Sequence, residues 1–247
     1  MADFKLLIDH TIKWEGGASA DPRDKGLIYG NSGVLGKDGG DLKHPNNFIH
    51  TNKGILWGTY VSYCKVKGKT PSPKEFIEMP KAIWLDIYKT LFWDKIFGDQ
   101  IKSQAIAEII MEAIWGGGSI GMVKELQRFL NKNGASPKLL EDGAMGFNTY
   151  TALNNYAKTK ANEMKIVDLL TKQRLAYLQS LSDWSWAGKG WSNRVNELYA
   201  RASELVKKGA ASNTGKVVIG AIILGSLAFL FSDKISTFWK KGVKVLK

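Results

Sequence analysis

The sequence predicts a mainly α-helical protein with one small β-element in its N-terminal half. Three observations carry this. Apolar residues recur at three- and four-residue spacing along most of the chain, strand-like patterning is confined to the region around residues 27–61, and glycine or proline punctuates the periodic stretches. With 247 residues, 44% apolar and 11% aromatic, the chain is long enough and apolar enough for one or two ordinary globular domains.

Taken in order, Phe4, Leu7, Ile8, Thr11 and Ile12 share one helical face, with Asp3 as the N-cap. Gly16 and Gly17 stop this helix just after Trp14 and Glu15, which leaves a carboxylate at a helix end against a large aromatic. Burial there disfavours the charged form, so Glu15 is expected to carry the raised pKa that a general acid near neutral pH needs. The plainer reading is a surface glutamate ahead of a polar loop. Asp24 follows in the turn-prone stretch Asp21-Pro22-Arg23-Asp24-Lys25-Gly26.

Pro80 opens a helix in which Ile83, Trp84, Ile87 and Leu91 share a face. Ile106, Ile109, Ile110, Ala113 and Ile114 define a strongly apolar helix ending at Gly116-Gly117-Gly118. Ser119 is placed to cap the next, whose apolar face is Met122, Val123, Leu126, Phe129 and Leu130. Further helices are expected over residues 149–160, 163–182 and 192–208.

Residues 207–216 read as a linker. Val217 to Phe231 is then a run of 15 uncharged, almost wholly apolar residues. A membrane-spanning helix needs roughly 17–25 residues, so the span is reached only if flanking groups extend it over 217–234. The competing reading is a buried core helix. Gly220, Ala221, Gly225, Ser226 and Ala228 would let two such helices approach closely, so self-association is an expectation too. In residues 235–247, Ile235, Phe238, Trp239, Val243 and Leu246 fall on one helical face, with Lys240, Lys244 and Lys247 on another. That is a basic amphipathic tail suited to an anionic membrane. The first ten residues lack a basic region before a long apolar core, so no signal peptide is expected.

A net charge of +12 favours a polyanionic partner: nucleic acid, anionic lipid or bacterial wall. No nucleic-acid-binding motif and no lysine run interleaved with aromatics is present, so nucleic acid is not expected. The single cysteine, Cys64, excludes an internal disulfide framework. His10, His44 and His50 form no ligand pair of metalloprotease type, which argues against a zinc amidase or peptidase and leaves no metal or cofactor expected.

Trp14-Glu15-Gly16-Gly17, Asp21-Pro22-Arg23-Asp24-Lys25-Gly26 and Thr51-Asn52-Lys53-Gly54-Ile55 together resemble the signature of glycoside hydrolase family 108, lysozyme-like N-acetylmuramidases found largely in phages and bacteria. Glu125-Leu126-Gln127-Arg128-Phe129-Leu130, Glu141-Asp142-Gly143-Ala144-Met145-Gly146 and Lys189-Gly190-Trp191-Ser192-Asn193-Arg194-Val195 resemble elements of that family's C-terminal helical peptidoglycan-binding domain. The resemblance spans roughly residues 5–200, and ordered motifs are far more specific than any one of them.

It implies a lysozyme-like catalytic domain over 1–110 and a helical peptidoglycan-binding domain over 111–206, ahead of the linker and tail. It further implies hydrolysis of the β-1,4 bond between N-acetylmuramic acid and N-acetylglucosamine, with Glu15 as general acid. Asp24 would stay ionised, stabilising positive charge or activating water, and Thr51 would position that water. Trp14, Asn52, Asp142, Trp191, Asn193 and Arg194 become candidate substrate contacts. For Asp142 and Trp191 a structural turn and a packed ring stand as equal alternatives.

Two departures stand out. Residues 27–50 form a Gly-rich insertion where the family has only a few residues. The family's Asp-x-x-x-Asn-x-Gly run appears as Glu112-Ala113-Ile114-Trp115-Gly116-Gly117-Gly118, with Gly116 in place of the asparagine. Peptidoglycan and a membrane are the expected partners, and the expected location is membrane-associated, acting on the periplasmic side of the wall. A second functional class also fits: a phage-particle or secretion-system component whose lysozyme-like domain only docks to the wall while the tail inserts.

Overall fold

Helix α1 (Phe4–Trp14) starts where the Asp3 side chain accepts a hydrogen bond from the backbone N–H of Lys5, the cap the sequence predicts. It ends at Glu15, whose extended backbone leaves the helix while its N–H still donates to the carbonyl of Ile12. The computed structural model describes residues 1–15, 18–19 and 51–209, so Asp24, the 27–50 insertion and the segments 217–234 and 235–247 lie outside the described residues. Residues 1–210 form one compact unit.

Beyond α1, three two-residue strands make a small antiparallel sheet in chain order: β1 (Ala18–Ser19), β2 (Thr51–Asn52) and β3 (Ile55–Leu56). Ser19 lies opposite Thr51, and Asn52 lies opposite Ile55. The β2–β3 hairpin falls in the region where strands are expected; β1 precedes it. The turn between them places Lys53 and Gly54 at φ +50° and +76°. Left-handed geometry is easy for the glycine and less common for the lysine, whose ammonium donates to the Met79 carbonyl at 2.8 Å.

Helices α2 (Trp57–Val66), α3 (Pro73–Glu78) and α4 (Lys81–Tyr88) follow, and α4 runs on through a π-helical turn (Lys89–Trp93) and two short 3-10 turns. Then come α5 (Gln104–Trp115), α6 (Ser119–Lys132), α7 (Phe147–Tyr156), α8 (Lys160–Ser180) and α9 (Trp184–Lys208).

Among the helix starts that differ from the sequence-based expectation, two have a visible cause. Ser119 is the first helical residue of α6 and caps nothing; Gly118 holds the N-cap position at φ +83°. The Tyr177 ring packs so close that a Cβ on Gly118 would lie 2.4 Å from it. Helix α9 begins at Trp184, eight residues before the expected start, because Gly188 and Gly190 sit inside it without breaking it. Gly188 is buried under the Trp184 ring, and a Cβ there would approach that ring to 2.6 Å.

Helix α5 lies at the core of this unit. Ser103 caps it through a bond from the Ile106 N–H, and every residue from Ala105 to Ala113 is buried. It packs against α6, α8 and α9. The predicted boundary at residue 110 therefore falls within this core helix, and both flanking parts contribute to one core. Glu108 and Glu112 lie in the same buried run, 0% and 4% exposed. Buried charges demand partners, and these partners shape the site. No helix among the described residues is long and apolar enough to cross a membrane.

Candidate active site

Glu15 is the point where three distant parts of the chain converge. Its side chain is 11% exposed. The indole N–H of Trp115, at the end of α5, donates to Oε1 at 2.6 Å. Arg194, from α9 and 179 residues away in sequence, donates to the same oxygen through Nη1 at 2.9 Å. Oε2 has no hydrogen-bond partner among the described residues. Burial raises the pKa of Glu15 above the ordinary carboxylate value, against the opposing pull of Arg194 and the Trp115 bond.

Arg194 is itself held in place. Its Nε and Nη2 donate to the two oxygens of Glu112 at 2.7 and 2.8 Å, a bidentate pair that fixes the guanidinium plane. Burial works against its charge, and the bonds to Glu112 and Glu15 more than offset this. Trp115 is fixed by aromatic packing: Tyr88 and Phe92 each lie 4.9 Å from its ring, and Trp84 lies 5.6 Å away. Tyr88 also shares a hydrogen bond with Thr11 of α1 at 2.9 Å, tying this box to the helix that ends in Glu15. The result is a carboxyl group fixed in place, with one oxygen held by two donors and the other without a partner among the described residues.

The β2–β3 turn closes over that second oxygen. A Cβ on Gly54 would lie 2.1 Å from Glu15 Oε2 and 2.7 Å from the Trp115 ring, so only glycine lets the turn come this close. Gly54 is exposed, so Oε2 lies beside an open backbone position. The turn is anchored from beneath: Asn52, 2% exposed, donates to the carbonyls of Phe76 and Ile77, and the Trp84 indole donates to the Lys53 carbonyl. Asn52 thus spends its amide on backbone. Thr51 is different. Its hydroxyl is buried without a hydrogen-bond partner among the described residues. The indole N–H of Trp14 is in the same condition, and Lys13 lies 5.5 Å over its ring.

The other sequence-predicted residues are placed apart from this cluster. Asp142 accepts from the Ala144 N–H at 2.8 Å and from Gln127 at 2.9 Å, and these bonds hold its carboxyl below the usual range. Gln127 in turn accepts from Gly143, so the Leu126-Gln127 and Asp142-Gly143 motif elements form one structural node. Trp191 is half-buried and lines a cavity with Arg194, whereas Asn193 is exposed on α9. Cys64 is buried and free. His10 is buried with both ring nitrogens unpaired among the described residues, and burial lowers its pKa. Those residues contain no cluster of three His, Cys, Asp or Glu able to hold a metal. His44 and His50 lie outside them.

Sequence reasoning placed Trp14 beside Glu15 and overlooked Trp115, Glu112 and Gly54 as parts of its setting. The available signal was Glu108 and Glu112, two carboxylates one turn apart on an otherwise apolar helix, which must be matched by cations somewhere in the fold.

A half-buried carboxyl group with a raised pKa, one oxygen clamped and the other beside an open turn, is the setting of a general acid. Residues 8–118 match the family model described as Glycosyl hydrolase 108. The matched span contains Glu15, Thr51, Gly54, Glu112 and Trp115, while Arg194 comes from beyond it. Among solved structures, the chain is similar to SagA of Brucella abortus, with 25% identity, a TM-score of 0.60, and coverage of 84% of this chain and 97% of that one. No curated protein matches the chain.

Proposed function

We propose that the protein is a peptidoglycan muramidase that hydrolyses the β-1,4 bond between N-acetylmuramic acid and N-acetylglucosamine, with Glu15 as its general acid. The carrying observation is the asymmetry of the Glu15 carboxyl: Oε1 holds two donors, and Oε2 faces the exposed Gly54. The acidic proton belongs on Oε2, from which it passes to the glycosidic oxygen as the C–O bond breaks. Positive charge then develops on the sugar. Glu15 becomes a carboxylate at the same moment, and Arg194 and Trp115 stabilise it. These two donors oppose the proton before transfer and favour its loss during transfer, so they act on the transition state more than on the ground state.

Thr51, with its unsatisfied hydroxyl, would hold the attacking water. Asp24 would either stabilise the positive charge or take a proton from that water. Trp14 is proposed as a substrate contact through its unpaired indole N–H, and Trp191 and Asn193 as contacts along α9. Asp142, bound up in its own turn, would serve the wall-binding part by shaping its surface. Peptidoglycan suits the +12 charge of the chain. The uncharged run from Val217 to Phe231 and the basic tail support membrane anchoring as a further part of this reading.

The test is digestion of purified peptidoglycan by the full chain, wild type against Glu15→Gln, with mass spectrometry of the products. Wild type should release muropeptides with reducing-end N-acetylmuramic acid, and the variant about 10²–10⁴-fold less. Absence of sugar cleavage by both proteins would overturn the assignment and leave wall docking as the role of the domain. Co-sedimentation with anionic vesicles, lost on deleting 217–247, checks the tail.

A further inference from the structure

A cavity of about 140 Å³ lies between α5, α8 and α9, and its charged lining is Arg174, Arg194 and Glu112. Both oxygens of Glu112 are taken by Arg194, so that pair is closed. Arg174 has no equivalent. It is 8% exposed, donates to the carbonyls of Gly116 (3.2 Å) and Gly117, lies 5.7 Å from the Tyr177 ring, and makes no ion pair among the described residues. The guanidinium occupies the space that the glycine at 116 leaves open: a Cβ there would lie 2.3 Å from Arg174 Nη2.

The lining carries two guanidinium groups against one carboxylate, a net charge of +1. A buried cation without a counter-ion is strongly unfavourable, and a guanidinium with N–H groups to spare matches a carboxylate bidentately. The rest of the wall is apolar, with Leu178, Val195 and Trp191. A cavity of about 150 Å³ is known to hold a ligand of six heavy atoms, room for the carboxylate, Cα, methyl and nitrogen of a terminal alanine and not for an acyl group beyond them. We propose that this cavity recognises one carboxylate on a short aliphatic body, the chemistry that the end of a peptidoglycan stem peptide presents. The source of the carboxylate, though not the site, rests on the muramidase reading. Burial lowers the pKa of Arg174 to about 10, only partly offset by Glu112, and a bound carboxylate would reverse that shift.

Calorimetric titration of the full chain with N-acetyl-D-alanine and with its neutral amide tests the site without relying on any variant. The acid should bind at least tenfold more tightly than the amide. Arg174→Gln should abolish that preference and Arg174→Lys should restore part of it. Equal binding of acid and amide, no binding of either, or an acid preference that survives Arg174→Gln would overturn the proposal. Hydrolysis of intact wall against glycan stripped of stem peptides identifies the source. If the stem peptide is the ligand, wild type has a several-fold lower KM on intact wall than on stripped glycan, and Arg174→Gln loses that difference. Acid binding without a KM difference would overturn the stem peptide as source in favour of a free small carboxylate. Failure to cleave either polymer would sink the muramidase reading and leave the titration to decide the cavity.

Discussion

Two glutamate–arginine pairs brace the same three helices, and they differ in a single atom pair. Arg201 holds Glu108 with bonds of 2.6 and 2.9 Å and sends a third, of 2.7 Å, to the backbone carbonyl of Leu6 in α1. Arg194 holds Glu112 with bonds of 2.7 and 2.8 Å and sends a third, of 2.9 Å, to Glu15 at the end of α1. In both, an arginine of α9 spans a buried glutamate of α5 and a group on α1. A carbonyl cannot titrate, so the first pair is a brace. A carboxyl can, so the second brace doubles as the setting of the candidate acid. The site is a structural motif of this fold with one acceptor exchanged.

The largest expected difference between the two lies in catalysis. Glu15→Gln keeps an acceptor for Trp115 and Arg194 but removes the proton, and general acid catalysis contributes about 10²–10⁴-fold. Muropeptide release should fall by that factor while the thermal transition stays nearly in place, since Arg194 keeps Glu112. Arg201→Met should do the reverse. It strands Glu108, which is 0% exposed, as an unpaired buried charge, at a cost of about 3–5 kcal/mol. The transition should fall markedly, and kcat measured well below it should hold. Comparable thermal losses in the two variants would break the distinction between brace and site.

Much of this was legible in the sequence, but only where the cause is local. The Asp3 cap, the end of α1 at Trp14 and the apolar face of α5 follow from neighbouring residues. The early start of α9 was hidden because two glycines inside a helix read as a stop; the Trp184 ring over Gly188 supplies the packing that overrides this. Strand β1 has only two residues, too few for any pattern to register. Arg194 was named as a substrate contact from its motif, yet its partners are Glu112 and Glu15, 82 and 179 residues away. Trp115 is 100 residues from the carboxyl it bonds. Such contacts follow from tertiary packing, which spacing along the chain does not encode.

The turn over Glu15 offers a smaller contrast. Gly54→Ala and Gly68→Ala both place a methyl at positive φ, +76° and +64°, and a left-handed L-residue costs about 1–2 kcal/mol. Only at Gly54 would the methyl collide, 2.1 Å from Glu15 Oε2; at Gly68 nothing lies within 4 Å. The backbone cost is similar at both, the loss of stability is expected to be larger at Gly54, where the methyl must displace Glu15 and the Trp115 ring, and at least a tenfold loss of rate is expected for Gly54→Ala alone, as about 1.4 kcal/mol at the transition state would give. Equal rates would show that Oε2 is not the oxygen that works.

The finest contrast concerns Oε1. Trp115→Phe keeps an aromatic ring among Trp84, Tyr88 and Phe92 but removes the N–H that pulls the Glu15 pKa down. Burial, the larger influence, then acts with less opposition, and the pKa rises further above the ordinary carboxylate value. Glu15 works in its protonated form, so the alkaline limb of the kcat/KM profile should move to higher pH. Stability should follow the same sign. A carboxyl group whose folded pKa is raised contributes stability that is full below its unfolded pKa and lost as pH rises through the folded one, so the variant keeps this contribution to a higher pH. The brace gives the control: neither Glu108 nor Arg201 touches the indole, and the Arg201→Met profile should keep its wild-type limb. A Trp115→Phe limb that stayed in place would assign the titrating acid to another residue.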